Sequence, residues 1–500
     1  MKRSILAALL LGLLILLCGC SQSQTGTSLE QADSALPTAT VSVSPPTGDE
    51  GLATVKQVAF YVPGDDGRTL TREINEVRLS GDRIEAYDIA QALLTRLGSS
   101  FGVSLSLYGQ RPVLVSNGVC TVNLSSSALV LDNEQLYRLF LCVSSTLCAR
   151  SGINAVGFLI TDQAPAMDIT GNLPLGLLTG HGGDDMGALW STFSARRAPL
   201  GTDASTVALT ASANLYFPLK DGSGTACESR SITFEGQSAQ QLCAGLTEAL
   251  SAGSLYVDSA CDMPDLTALM TAMPRVTDLT EGGKLLSLSF VSDLDALLSQ
   301  QGIDEEAFLS SVILTMTSFV PNITAISVRI GEEAADFLPN TGGYVRRSSL
   351  DSTVMDQAII YLSADGTLFS VTRMLPADRS SSPRLLLNAL ISGPRQSEKE
   401  QGISLVLPYS VSESDVLGLS VENDTLVINL SEFFASAVEN AEQLDEQLIC
   451  YSMVNTLCEA LGLRRVVFFF GGQQRETLGG KLSWSGEFLY APGLAGEDRG

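Results

Sequence analysis

The sequence contains a single histidine, His181, in 500 residues, and only two tryptophans. Ser-His-Asp triads, Cys-His pairs and zinc sites with two histidines would all depend on that one side chain. The chain also lacks the Ser-x-x-Lys and His-Glu-x-x-His patterns and the phosphate-binding Gly-Lys loop. We therefore predict that the protein is not an enzyme, with no catalytic residue, no metal and no cofactor.

His181 lies in a glycine-rich stretch with two nearby acids, Asp184 and Asp185. Half of a metal site is one interpretation of these three residues. A glycine-rich loop without a second histidine favours a solvated linker instead.

Paired carboxylates are the remaining route to catalysis, because two acids are sufficient for glycoside hydrolysis. The candidate pairs are Asp293 with Asp295 and Glu305 with Glu306. Both pairs fall where helix starts are expected, and an acid there interacts favourably with the helix dipole. Capping is the favoured interpretation.

Basic residues are scarce: 30 lysines and arginines face 55 acids, for a formal net charge of −25. Such a surface repels phosphate, so nucleic acid is a poor partner and direct adhesion to anionic lipid headgroups is disfavoured. The composition, 45% hydrophobic and 17% charged, is typical of globular domains with filled cores.

Cys-x-x-Cys spacing is absent, which argues against a cysteine metal site. Eight cysteines remain beyond the amino-terminal segment: Cys120, Cys142, Cys148, Cys227, Cys243, Cys261, Cys450 and Cys458. Several fall on predicted apolar faces, where a thiol behaves as a small hydrophobe. Disulfides among Cys227, Cys243 and Cys261 stay open as an alternative, because eight thiols allow 105 pairings.

The sequence has no apolar run of the roughly 20 residues that a spanning helix needs. The run at residues 5–17 is shorter and follows Lys2 and Arg3, which is the layout of a secretory signal. It ends in Leu17-Cys18-Gly19-Cys20, which resembles a bacterial lipobox. That resemblance implies a lipid-modified Cys20 and an extracytoplasmic protein anchored to the plasma membrane.

Three stretches of the chain repeat one order of elements. Each opens with an apolar strand and an acidic glycine turn, at residues 59–67, 215–222 and 359–366. Each closes with an amphipathic helix and a β-rich strand, which in the third copy are predicted at residues 445–461 and 465–470. The first and third copies also share letters: Val122-Asn123-Leu124-Ser125 matches Ile428-Asn429-Leu430-Ser431, and Thr146-Leu147-Cys148 matches Thr456-Leu457-Cys458. The order predicts an α+β chain of three tandem small modules, each a mixed β-sheet packed by two helices.

The module resembles the GerM domain of sporulation and spore germination proteins, which is similar to ring-building motifs of secretion and sporulation channels. The resemblance rests on the opening strand with its Asp-Gly turn, the helix ending in Ile391-Ser392-Gly393-Pro394, and the strand Val427-Ile428-Asn429-Leu430-Ser431 followed by Glu432-Phe433. It is strong over 356–480, good over 56–162 and weaker over 211–338. A third, degenerate copy departs from the one or two copies usual in such lipoproteins.

These patterns divide the chain into eight predicted segments. They are a signal peptide (1–19), a disordered tether (20–55), module 1 (56–180), a linker (181–210), module 2 (211–340), a linker (341–355), module 3 (356–490) and a polar tail (491–500).

Repetition of one small module favours an interaction protein over an enzyme. The sequence predicts a lipid-anchored extracytoplasmic scaffold in sporulation, germination or envelope assembly. The expected partners are the membrane through Cys20, envelope or sporulation proteins, and further copies of the chain. The alternatives are a peptidoglycan-acting enzyme or activator, and a ligand-binding lipoprotein of a transporter or sensor.

Overall fold

The structure is a computed structural model that describes residues 43–335, 340–341, 344–441, 443–480 and 482–495. The described residues from Ser44 onward form one compact unit. The predicted signal peptide and most of the predicted tether, including Cys20, lie outside the described residues.

Module 1 begins with two ten-residue strands that pair antiparallel along their whole length. Its elements are β1 (Thr54–Pro63), β2 (Leu70–Leu79), α1 (Glu85–Phe101), β3 (Val113–Ser116), β4 (Val119–Leu124), α2 (Asn133–Cys148), β5 (Ala155–Ile160) and α3 (Met186–Ser194). Burial alternates along β1: Val58, Phe60 and Val62 are buried, while Val55 is exposed. This period of two places one face of the hairpin on the core.

Module 2 repeats the same order with additional short elements. Its elements are β6 (Leu209–Pro218), β7 (Thr225–Phe234), α4 (Ala239–Ser251), α5 (Leu266–Leu269), β8 (Met270–Asp278), β9 (Lys284–Phe290), α6 (Leu294–Ser299), α7 (Glu305–Phe319), β10 (Ile323–Ile330), β11 (Glu333–Ala334), β12 (Asn340–Thr341) and β13 (Tyr344–Val345). Its second hairpin is irregular, because the register shifts twice between β8 and β9.

Module 3 has the same order again, and its long helix and last strand begin within a residue of their predicted positions. Its elements are β14 (Met355–Ala364), β15 (Thr367–Pro376), α8 (Pro383–Ser392), α9 (Gln396–Glu400), β16 (Ile403–Ser404), β17 (Val416–Glu422), β18 (Thr425–Leu430), α10 (Glu432–Glu439), α11 (Glu446–Leu461), β19 (Arg465–Phe470) and β20 (Glu487–Leu489). Pro383 takes the first position of α8, as expected from its fixed φ.

The predicted α+β class is confirmed, and the structure adds one refinement to it. Each module holds two sheets: the ten-residue hairpin, and a three-stranded core of mixed sense, β3-β4-β5, β8-β9-β10 or β17-β18-β19. In all three cores the first pair is antiparallel and the second is parallel. The long helix of each module, which is α2, α7 or α11, packs against the hairpin.

Modules 1 and 2 share one continuous apolar core, whereas module 3 has its own. The predicted linker 181–210 belongs to the first of these. Within it α3 buries Met186 and Phe193, and the Phe193 ring lies 4.7 Å from the ring of Tyr137 on α2. Burial of these apolar side chains gives the segment a fixed position, so it extends module 1 rather than linking two modules.

The end of the predicted tether also differs from the expectation. Residues 46–52, here called the strap, lie along β17 of module 3. The backbone N–H of Leu419 donates to the carbonyl of Gly48 at 3.1 Å, and that of Val421 donates to the carbonyl of Gly51 at 2.9 Å. Leu52 is buried in the core of module 3. The polar composition of the segment concealed these contacts because backbone groups and one leucine provide most of them.

Candidate interaction surface

The three modules share one buried hydrogen bond that fixes the long helix against the opening hairpin. In each, a threonine Oγ1 of the helix accepts from the backbone N–H of a tyrosine in the first strand. The pairs are Tyr61 with Thr146 (2.9 Å), Tyr216 with Thr315 (2.9 Å) and Tyr361 with Thr456 (3.0 Å). All three threonines are fully buried, so the bond satisfies groups that water cannot reach.

A second bond occurs in modules 1 and 3 and has no counterpart in the part of module 2 that the structure describes. Asn123 Oδ1 accepts from the backbone N–H of Asp162 at 3.1 Å, and Asn429 Oδ1 accepts from that of Gly472 at 3.0 Å. Both bonds close the turn after the last strand of the module. Ser289 occupies the matching register position in module 2. The shared letters around Asn123 and Asn429 therefore mark a structural role.

The outer edge of β3 is occupied by the two other modules. Ser116 Oγ donates to the Met355 carbonyl at 2.6 Å and accepts from the Cys227 N–H at 2.9 Å. The Val115 N–H donates to the carbonyl of Ala377 at 3.1 Å. The junction of the three modules thus lies on a strand edge of module 1.

The outer edge of β17 is occupied by the strap. Arg384 of α8 holds it through two hydrogen bonds to the Asp49 carboxylate, at 2.6 and 2.8 Å. A Cβ on Gly418 would lie 2.5 Å from the backbone nitrogen of Gly48, so only glycine allows this approach. Two of the three core sheets are therefore closed by segments of the chain itself.

The outer edge of β8 pairs with no other strand among the described residues. It contains Pro274, which has no N–H to donate, and its pairing with β9 shifts register twice. Proline and irregular pairing are the features that protect an open sheet edge from further strands. In module 2 the exposed strand edge is thus protected by a proline and irregular pairing, whereas in modules 1 and 3 it is covered by other segments of the chain.

The connection between the central strand and the long helix exposes apolar side chains in modules 1 and 3. Leu129 and Val130 are 61% and 76% exposed, and Phe433 at the start of α10 is 52% exposed. In module 2 the same connection forms α6, whose Leu294 and Leu298 are fully buried. We call residues 129–130 and 433 the outer apolar connections. Leu129 and Val130 come one residue after three serines, and this change from polar to apolar residues could have indicated an exposed apolar pair.

His181 and its neighbouring acids have structural partners. His181 Nδ1 lies 3.1 Å from Asp184 Oδ2, and its backbone N–H donates to Ser145 Oγ at 3.0 Å. Asp185 caps α3 and pairs with Arg68 at 2.9 Å. Within the described part of the chain no three acids, cysteines or histidines converge to form a metal site.

The acid pairs considered for catalysis lie at helix starts, as predicted. Asp293 is the N-cap residue of α6, and Asp295 lies in its first turn. Glu305 and Glu306 form the first turn of α7, while Asp304 accepts the capping hydrogen bond from Ala307 N–H. Burial, with the negative charges of Asp295 and Asp304, raises the pKa of Glu305.

All eight cysteines of the modules are free in the structure, including Cys227, Cys243 and Cys261. Burial raises the pKa of the Cys142, Cys243 and Cys458 thiols to about 12 in each case. At neutral pH such thiols stay protonated, which makes them poor nucleophiles. They act as small core residues.

The membrane anchor is predicted at Cys20, which lies outside the described residues. In the described ranges no helix combines the length and apolar character needed to cross a bilayer.

Comparison with known proteins gives one family. Residues 359–476 match the model described as Germane: sporulation and spore germination. The third module is Germane-like. The matched stretch contains the strand, helix and turn sequences on which the predicted resemblance rests, so that prediction is confirmed for module 3. The match associates the chain with sporulation and spore germination. Among curated protein sequences, none matches the chain.

Three solved structures are similar to parts of the chain. The tandem GerMN domains of the sporulation protein GerM from Bacillus subtilis have 14% identity, cover 57% of this chain and 100% of their own, and give a TM-score of 0.23. The first GerMN domain of the same protein has 21% identity, coverage of 27% and 98%, and a TM-score of 0.22. A putative lipoprotein from Clostridium perfringens has 19% identity, coverage of 29% and 95%, and a TM-score of 0.18.

Proposed function

We propose that the protein is a non-enzymatic, lipid-anchored scaffold outside the plasma membrane that acts in sporulation, spore germination or assembly of the envelope. The observation that carries the proposal is the Germane match of residues 359–476. Support for a scaffold comes from the threefold repetition of one module in a single compact unit, an architecture suited to binding other proteins.

The anchor in this proposal is a lipid on Cys20. The chain from Cys20 to Pro46, where the strap begins, spans at most about 90 Å when fully extended. The modules would then operate within that distance of the bilayer. Replacing Cys20 with Ala is expected to move the protein from the membrane fraction to the soluble fraction. Retention of the variant on membranes would contradict lipid anchoring.

The binding surface in this proposal is the pair of outer apolar connections. They lie in the same strand-to-helix connection of modules 1 and 3, and exposed apolar side chains there are suited to contact with another protein. The sheet edges are poor candidates because β3 and β17 are already occupied and β8 is interrupted by Pro274. The partner is an envelope or sporulation protein, or another copy of this chain; the acidic charge disfavours nucleic acid.

The test is recovery of partners from membranes of sporulating cells that produce the tagged full-length chain. The expected result is enrichment of an envelope or sporulation protein, or of an untagged second copy. A strain without the gene should form or germinate spores less efficiently. Normal spores together with recovery of no envelope protein would overturn the proposal.

A further inference from the structure

A cavity of about 450 Å³ opens where three separate segments of the chain meet. The segments are the connection before β3, the turn after β5 and the residues that precede module 3. The cavity is lined by Tyr108, Gly109, Gln110, Arg111, Asp162, Arg346, Ser348, Ser349, Asp351 and Ser352. Its volume lies within the roughly 300–1,000 Å³ of small-molecule sites.

Both carboxylates of the lining are held in fixed positions. Asp351 is 6% exposed and accepts a 2.6 Å hydrogen bond from Arg347, which is 3% exposed. Asp162 Oδ1 accepts from Asn123 Nδ2 at 2.7 Å. A buried ion pair and an amide bridge therefore build the acidic side of the cavity, and neither carboxylate is a mobile surface group.

The backbone is strained at the same place. Thr161 and Asp162 have φ of 49° and 67°, in the left-handed region, although neither is glycine. The equivalent turn of module 3 uses Gly471 and Gly472, at 57° and 84°. Non-glycine residues kept in such conformations cluster at functional sites. Module 1 thus retains a strained Asp162 whose side chain lines the cavity.

The remaining lining groups have unused hydrogen-bonding capacity. Among the described residues, no side-chain hydrogen bond engages Tyr108, Gln110 or Arg346, nor the hydroxyls of Ser348, Ser349 and Ser352. Tyr108 is 42% exposed. Hydrogen-bond donors, hydrogen-bond acceptors and one aromatic ring therefore line the same cavity.

This lining restricts the chemistry of a ligand. It contains no aliphatic side chain, so an acyl chain or other apolar ligand would find no partner there. Asp351 is paired with Arg347, and Arg111 is paired with Asp378. The remaining charges at the cavity, on Arg346 and Asp162, are opposite, so the cavity favours neither an anion nor a cation. A neutral ligand rich in hydroxyls uses acceptors and donors together, and its apolar face stacks on a tyrosine ring.

We propose that this cavity binds a carbohydrate, as a short segment of a neutral glycan stacked on Tyr108 and hydrogen-bonded to Asp162 and the three serines. The binding site is additional to the outer apolar connections and does not depend on the scaffold role.

Calorimetric titration of the full-length protein with the β-1,4-linked tetramer of N-acetylglucosamine tests this inference. We expect saturable binding that Tyr108→Ala weakens at least tenfold. Asp162→Asn, which retains an acceptor for Asn123, should weaken it by a similar factor. Tyr409→Ala is the matched control, because Tyr409 is 88% exposed in the equivalent connection of module 3 and does not line this cavity.

The outcomes separate the alternatives. Melting temperatures of the three variants within a degree or two of the parent would show that they are folded, so lost affinity would then report the site. No heat of binding at millimolar tetramer overturns the proposal, as does binding that neither Tyr108→Ala nor Asp162→Asn alters. Inorganic phosphate that binds and is lost in the same variants would overturn it in favour of an anion site.

Discussion

The outer modules and the middle module differ less in their frame than in their surfaces. The frame, which all three share, consists of the ten-residue hairpin, the mixed three-stranded core and the threonine bond from the long helix to the first strand. They differ in how the outer strand of that core is closed: β3 and β17 are covered by other parts of the chain, while β8 is interrupted by Pro274. The three copies therefore keep the same internal contacts while the closure of their outer strand differs.

The same division applies to the strand-to-helix connection. It exposes Leu129, Val130 and Phe433 in the outer modules, and it buries Leu294 and Leu298 in the middle one. The middle copy therefore uses these apolar residues in its core. The outer copies leave theirs exposed, where the proposed partner would bind.

The largest expected effect concerns a buried carboxylate found in the middle module. Glu228 is 1% exposed, pairs with Arg230 and accepts from Ser254 Oγ and from the N–H groups of Leu255 and Tyr256. Glu228→Ala removes the carboxylate that balances the charge of Arg230 and leaves the three other donors without this acceptor, so unfolding free energy should fall by about 3–5 kcal/mol. Urea denaturation measures this loss of unfolding free energy, and Glu235→Ala, at an exposed position, is the control. A loss below about 1 kcal/mol for Glu228→Ala would contradict the interpretation of Glu228 as a buried, fully paired carboxylate.

The strap can be displaced without touching the interior of module 3. In Gly418→Val the new side chain would collide with Gly48 and Pro46, so the segment should detach and expose Leu52. Loss of that burial alone predicts a destabilisation of about 1.5–3 kcal/mol. Limited proteolysis should cut within residues 46–52 in this variant. Gly486→Val is the control, since a Cβ there meets nothing within 4 Å; equal protease resistance of both variants would exclude a docked strap.

The shared frame predicts similar effects in all three copies. Thr146→Val, Thr315→Val and Thr456→Val each keep the shape of the side chain and leave a buried tyrosine N–H unsatisfied, which costs about 1–3 kcal/mol. Thermal unfolding of the three single variants compares the modules directly. If Thr315→Val alone had no effect, the middle module would not share the frame.

The smallest effect concerns the turn that differs between modules 1 and 3. Thr161 is β-branched at a positive φ, where Gly471 serves in module 3. Thr161→Gly should therefore raise stability by roughly 1 kcal/mol because it relieves backbone strain. Gly471→Thr should destabilise by more than this amount, because its Cβ would also lie 2.6 Å from Glu432 Oε1. Urea midpoints that moved in the opposite directions would remove strain as an explanation of this turn.

The elements of the fold could be predicted because they depend on local patterns. The helix predicted at residues 445–461 and the strand predicted at 465–470 match α11 and β19 within a residue. The repetition of Thr146 as Thr456 was visible in the sequence. The hydrogen bond that each threonine accepts from a distant tyrosine could not be predicted from it. Hydrophobic periodicity and turn residues carry this information.

Contacts between distant segments could not be predicted in this way. The carbonyl of Pro46 accepts from Asn429 Nδ2 at 2.8 Å, across 383 positions of the chain. A polar segment that docks through backbone groups has the composition of a disordered one. The cavity beside Tyr108 likewise depends on three segments that only the tertiary structure brings together.

The central claim is that the outer modules bind a partner and the middle module does not, and partner retention in surface variants tests it most directly. The full-length chain would be compared with Leu129→Ser/Val130→Ser, with Phe433→Ser and, as the middle-module control, with Leu297→Ser on α6. Retention from membranes of sporulating cells should fall at least fivefold in both outer variants and stay unchanged in Leu297→Ser, with equal membrane recovery of all four proteins. Unchanged retention in both outer variants would contradict the claim.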